Sequence, residues 1–252
     1  MTLILGELSF FGIAMAADST VTVTNQLTGM RHVNINAARK LQSVPYLNAG
    51  VSCWGLGDIS GIPTDDWLSD FISHNIRLQT LQSFAEELAT QLNASVNDPR
   101  LGTGIAGFHL AGFESYNGIP TPSFYHIHDG ESKVLQNRGT TININQFNAN
   151  HDMPPDIFQR DFGNGGWYLT RNGDFQIYAQ IFDSLHAYFG SLSTRGIVIP
   201  NSQSLDERAD YLVFQIRTIS EIYRFSNLIP GIGGDIHYLI INPNGIQSQG
   251  IR

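Results

Sequence analysis

Residues 2–19 read Thr2-Leu-Ile-Leu-Gly6-Glu-Leu-Ser-Phe-Phe-Gly12-Ile-Ala-Met-Ala-Ala17-Asp18-Ser19. Two short apolar runs, rich in small residues and separated by a turn at Gly12, predict a buried β-hairpin. The run does not have the form of a secretory signal: no Lys or Arg precedes Arg31, and Glu7 and Asp18 interrupt it. Nor does any stretch approach the ~18–20 uncharged residues that a membrane helix needs. The small hydroxyl side chain at position 2 permits an aminopeptidase to remove Met1. Thr2 would then carry a nucleophilic oxygen and a free α-amine. The amine's ordinary pKa of about 7.7–8.0 suits it as its own general base.

Composition narrows the functional classes. The 252-residue chain has a net charge of −8 and only 14% charged residues, well below the usual ~25%. Sparse charge fits a surface covered by uncharged polar residues or hidden in an assembly. The acidic balance gives no support to nucleic-acid or anionic-membrane binding. One cysteine, Cys53, excludes an intramolecular disulfide framework, and a cytoplasmic location is expected. Of the 14 basic residues only Lys40 and Lys133 are lysine, which singles out Lys40.

Residues 19–24 and 30–35 alternate like strands around a turn at 26–29, and 46–54 read as a hairpin-like region before Gly55-Leu-Gly57-Asp58. Asp65-Asp66 suggests the cap of a helix over 67–74, and a Leu/Phe stripe marks a longer one over 78–96. Strands are expected over 104–115 and 123–128, then a loop-dominated, Asn-rich insertion over 131–165 containing Pro154-Pro155. A third helix is expected over 174–189, a loop over 190–204, a fourth helix from 205 or 206 to 225, and a strand over 235–241 before the turn Asn242-Pro-Asn-Gly245. Helices arrive in adjacent pairs, which argues against a doubly wound parallel sheet. The expectation is a single α+β domain over 1–252, with a helix pair on each face of stacked antiparallel sheets.

Several segments, taken in order, resemble the proteasome β-subunit family of N-terminal nucleophile hydrolases, with this chain a divergent, bacterial-type member. Gly12-Ile-Ala-Met-Ala-Ala-Asp18-Ser19 is similar to that family's Ala-Ala-Asp-Ser strand, and the Thr2-to-Asp18 interval equals its nucleophile-to-Asp interval. Arg39-Lys40-Leu41 resembles the Lys-bearing strand, and Cys53-Trp54-Gly55-Leu-Gly57-Asp58 the turn before the first helix. Residues 107–114, 124–130 and 233–245 resemble the central strand pair and the closing strand. The resemblance implies a four-layer αββα sandwich, no cofactor and no metal. It also implies a homo-oligomeric ring acting on peptides or small amides, with room for an unfoldase partner. By the same resemblance Thr2 is the nucleophile, Lys40 depresses the amine's pKa, Asp18 holds Lys40, and a backbone N–H at Gly55 stabilises the oxyanion, with Gly57 an equal candidate.

The chain departs from the family in three places. The Asp18-to-Lys40 interval is longer. Ile229-Pro-Gly-Ile232-Gly-Gly replaces Asp-x-x-Ser-Gly-Gly, with Ser226 or Asp235 as potential substitutes. The Gly-Ser-Gly turn is either 163–165 or 171–174, without its Ser. A catalytically inactive structural or assembly relative is the competing reading, and a small-amide acylase a third. His126 and His128 share a strand face at metal-ligand spacing beside Asp129, with no third ligand in view. Cys53 reads as a small buried hydrophobe.

Overall fold

The computed structural model describes residues 2–24, 31–34, 37–97, 101–102, 104, 106–130, 146–173, 176–196, 204–226 and 231–252. Residues 2–19 form the expected hairpin, with β1 over Leu3–Ser9 and β2 over Gly12–Asp18. The turn is Phe10-Phe11, and Gly12 opens the second strand. Ser9 organises it: its Oγ accepts from the amides of Phe11 and Gly12 and donates to the Gly12 carbonyl. Every residue of β1 and β2 is buried, as expected of strands covered on both faces.

The remaining strands are β3 (Val21–Thr24), β4 (Arg31–Asn34), β5 (Leu41–Val44), β6 (Ala49–Trp54), β7 (Asp58–Ile59), β8 (Ile62–Pro63), β9 (Gly107–Tyr116), β10 (Ile119–His128), β11 (Asn148–Met153), β12 (Tyr168–Gly173), β13 (Ile236–Asn242) and β14 (Gly245–Ile251). Among the described residues the helices are α1 (Thr64–His74), α2 (Leu81–Ser95), α3 (Pro155–Phe162), α4 (Gln176–Leu192) and α5 (Leu205–Phe225). Two five-stranded sheets dominate, ordered β12-β1-β2-β13-β14 and β11-β10-β9-β6-β5. Every pairing within them is antiparallel, so the chain is α+β.

Side-chain alternation distributes the strands' residues between separate cores. From the first sheet, Leu3, Leu5, Ala14, Ala16 and Ile240 pack with Tyr178 and Phe182 of α4 and Leu212 and Ile216 of α5. The intervening Ile4, Leu8, Ile13, Met15 and Leu239 pack instead with Leu41, Ala111 and Phe124 of the second sheet. That sheet's other face, including Val51, Cys53, Phe108 and Leu110, packs with Phe71 of α1 and Phe84, Leu88 and Leu92 of α2. At Gly50 the sheets approach closely: a Cβ there would lie 2.5 Å from Leu239 Cδ2 and 2.7 Å from Met15 Sδ.

Some expectations are corrected. Residues 131–165 are not uniformly loop, because 148–153 form β11 and 155–162 form α3. Pro154-Pro155 does not break structure there. It starts α3, with Pro154 as the N-cap and Pro155 at the first helical position, where the missing N–H is harmless. Helix α1 begins at Thr64, so Asp65 and Asp66 occupy its first turn and complement the helix dipole, while Pro63 is the N-cap. Helix α2 begins later than its Leu stripe suggests. Thr80 and Ser83 form a reciprocal capping box that fixes the start. Strand β14 pairs with β13 beyond the Asn242–Gly245 turn. The turn at 26–29 and residues 131–145 of the insertion lie outside the described residues.

Candidate functional site

Antiparallel pairing of β1 with β2 aligns Ile4 with Ala17, which brings the start of β1 beside the end of β2. Thr2 and Asp18 are therefore neighbours although 16 positions apart in sequence. Asp18 is fully buried. Its Oδ1 accepts from the Leu3 amide at 2.9 Å and from Lys40 Nζ at 3.0 Å. Its Oδ2 accepts from the amides of Thr20 at 3.2 Å and Gly233 at 3.3 Å. Burial pushes the Asp18 carboxyl above its ordinary range, while Lys40 and the amides of Leu3 and Gly233 pull it back.

Lys40 is itself buried, its side chain 6% exposed, and Nζ donates a second hydrogen bond to the Thr20 carbonyl. The chain around this pair is pinned by backbone contacts. Gly233 accepts from the amides of Ser19 and Thr20, and the Ser19 carbonyl accepts from Ala37 and Ala38. The amide of Cys53 donates to the Lys40 carbonyl, joining the lysine to the end of β6.

Thr2, Thr20, Lys40, Cys53, Gly55 and Gly57 line one cavity of about 250 Å³, with Trp54, Thr64 and Asp65 in its walls. All four residues singled out for catalysis, Thr2, Asp18, Lys40 and Gly55, thus converge at one place. Asp18 lies behind Lys40, and the other three are in the cavity wall. Gly55 has φ +96°, a conformation that glycine adopts at little cost. The 55–57 turn is held against α1 by the Thr64 amide donating to the Gly57 carbonyl and by Thr64 Oγ1 donating to the Leu56 carbonyl. Burial pushes the Cys53 thiol up to about 12, so it stays neutral and un-nucleophilic at physiological pH.

No protein-family model and no curated protein matches the chain. The chemistry rests on the residues and their geometry.

The structure places the two glycine-rich segments differently. Gly163 to Gly165 form the turn that ends α3, whereas Gly173 ends β12 opposite Leu3. Gly173 has φ +89°, and a Cβ there would lie 1.9 Å from the Thr2 carbonyl oxygen. It is therefore Gly173 that makes room for Thr2. Ser226 closes α5, its amide and hydroxyl both donating to the Tyr223 carbonyl. Sequence spacing missed two other contributors, Thr20 and Gly233, because they act through backbone groups that any residue type carries.

His126 and His128 do share a face, but as stacked rings with centroids 4.0 Å apart. His109 lies edge-on to His126 at 4.7 Å, and His126 Nδ1 is 3.6 Å from Asp152 Oδ2. Asp129 is not in that cluster; it accepts from the amides of Gly102 and Ala106. Elsewhere, Ser123 Oγ is 2.8 Å from His151 Nε2, and Glu114 Oε2 is 3.5 Å from the same nitrogen. A serine relay needs the acid on the other ring nitrogen, so this trio lacks that order. Among the described residues no helix is long and apolar enough to cross a membrane.

Proposed function

We propose that the chain is a proteasome β-subunit-like N-terminal nucleophile hydrolase, a four-layer αββα sandwich that cleaves amide bonds of peptides with Thr2 once Met1 is removed. The observation that carries this reading is the buried Lys40–Asp18 pair, 3.0 Å apart, in a cavity whose wall includes Thr2. A lysine buried with one carboxylate and one carbonyl as partners places a positive charge where an N-terminal amine would otherwise gain a proton. The free-base amine then takes the proton from Thr2 Oγ as the oxygen attacks the carbonyl. The N–H groups of the 55–57 turn are the candidates for stabilising the oxyanion. Sparse surface charge agrees with action inside a homo-oligomeric ring.

The competing reading, a catalytically inactive structural relative, is favoured by the backbone of residues 231–234. Gly233 spends its N–H on Asp18 and its carbonyl on Ser19 and Thr20, and this glycine-rich segment offers the amine no side-chain relay.

Intact mass separates the readings first: the active form must lack Met1. Processed protein should then form one covalent adduct with a peptide epoxyketone, which requires both the hydroxyl and the amine of an N-terminal threonine. Thr2→Ala and Lys40→Met should abolish the adduct. Processed wild-type protein that stays unlabelled refutes catalysis and leaves the structural reading.

A further inference from the structure

The cavity that Thr2 lines also holds a carboxylate for which the proposed chemistry has no use. Its wall contains two charged side chains, Lys40 and Asp65. Lys40 is matched: Asp18 Oδ1 lies 3.0 Å from Nζ, and the Thr20 carbonyl accepts a second hydrogen bond. Asp65 is not matched. It sits in the first turn of α1, and its Oδ2 accepts from the Arg39 backbone amide at 2.8 Å. Among the described residues no cation pairs with it, and Oδ1 has no partner. Asp65 is only half-buried and Oδ1 is not enclosed, so a solute can reach it.

The position in α1 does not by itself account for this acid. Asp66 gives the helix the same complement to its dipole without lining the cavity. The field of Asp65 does reach a second wall residue: burial raises the Cys53 thiol, Lys40 lowers it, and Asp65 raises it again. An unmatched charge in the wall of a cleft draws ligands of opposite sign. Much of the remaining wall is short, with Thr20, Ala37, Ala38 and Gly57 around a volume of about 250 Å³. Side chains this small leave room for a long one, whose aliphatic stem can lie on apolar surface while its charged head reaches a polar group.

We infer that this cavity selects a basic side chain, an arginine or lysine of the peptide beside the bond that Thr2 attacks, whose cationic head pairs with Asp65 Oδ1. Cleavage at such a residue presupposes Thr2 as the nucleophile; binding of the side chain does not. An acidic side chain would meet Asp65, while the wall's cation, Lys40, is already engaged by Asp18. A neutral one would leave the Asp65 carboxylate without a counter-charge.

The test titrates the Thr2→Ala chain, which cannot turn peptide over, with acetylated tripeptide amides ending in arginine, norleucine or glutamate, followed by calorimetry. The arginine peptide should bind at least about tenfold more tightly than the norleucine peptide, the worth of one charge-assisted hydrogen bond. The glutamate peptide should bind most weakly. Asp65→Asn on the same background keeps an oxygen for the Arg39 amide and should erase the preference for arginine. Asp66→Asn, one residue on and outside the cavity, should preserve it. Should Asp65→Asn fail to fold, the ranking of the three peptides decides alone. No saturable binding of the arginine peptide, equal binding of arginine and norleucine, or a preference that survives Asp65→Asn overturns the inference. With processed wild-type protein, fluorogenic versions of the same peptides should show the arginine preference in kcat/KM, and cleavage without it overturns the inference equally. Cleavage of none of them refutes the Thr2 reading instead, and the titration still decides selectivity.

Discussion

Replacing Lys40 by methionine keeps the length of the side chain and removes its charge. In the native structure Asp18 accepts four hydrogen bonds, from Lys40 and the amides of Leu3, Thr20 and Gly233. Three survive in Lys40→Met, but the carboxylate loses the one full positive charge against which it is buried. Breaking a buried pair in this way costs about 3–5 kcal/mol. For a chain of this size that lowers Tm by roughly 6–20 °C. The pH dependence follows from the sign of the shift. Burial already holds the Asp18 carboxyl above its ordinary range, and losing Lys40 raises it further. A carboxyl whose pKa is higher folded than unfolded favours folding while protonated, and that advantage is lost as pH rises through the folded value. The deficit should therefore be greatest at neutral pH and shrink on acidification. Urea denaturation of both proteins at pH 5 and pH 8 measures it. The double variant Asp18→Leu/Lys40→Met should not recover fully, because it takes the Asp18 acceptor from the amides of Leu3 and Gly233, at about 1–3 kcal/mol each, while the Thr20 amide keeps the Gly233 carbonyl. A deficit no larger than the ~0.5 kcal/mol typical of surface changes, or one equal at both pH values, refutes the reasoning.

Other consequences are as direct. Glu7, buried beneath α5 with Arg208 Nε 2.5 Å away, is pushed up to about 7 by burial, against the pull of Arg208. Its ionisation should cost on the order of 3 kcal/mol of stability as pH rises from about 4.5 to 7, and Glu7→Gln should flatten that part of the stability profile. Gly173→Ala drives a methyl into the Thr2 carbonyl from a left-handed backbone position; calorimetry should show a loss of at least about 1–3 kcal/mol, and epoxyketone labelling should fall with it. Thr80→Ala removes one half of the α2 capping box and should cost about 0.5–2 kcal/mol without altering labelling.

The parts of the fold legible in the sequence are those where one physical signal dominates. The β1–β2 hairpin announces itself because both faces are buried and the whole run is apolar. Helix α5 shows a clear amphipathic period, and its N-cap Ser204 accepts from the Glu207 amide. Strands β11 and β14 were not legible. β11 is Asn-Ala-Asn-His-Asp-Met and β14 is Gly-Ile-Gln-Ser-Gln-Gly-Ile, edge strands held by backbone pairing rather than by β-branched side chains. Of the candidate site, Thr2, Asp18 and Lys40 could be named from residue type and spacing. Gly173 and Gly233 could not, since what they supply is space and backbone geometry. The histidine cluster was half visible. The period-2 spacing of His126 and His128 is local, but His109 and Asp152 join them only through the strand pairings of β9 and β11.

The Gly233 amide bonded to Asp18 has a temporal meaning as well as a spatial one. It spans 215 residues, so on a ribosome the carboxylate that anchors Lys40 is incompletely held until residue 233 has emerged. Strand β13 must also insert between β2 and β14 to bring that amide into place. Pairings of such long sequence separation form slowly, since the loop they close has to be ordered first. The charged pair beside Thr2 thus completes itself late, and a chain truncated before residue 233 carries every side chain of the site without the backbone group that finishes it.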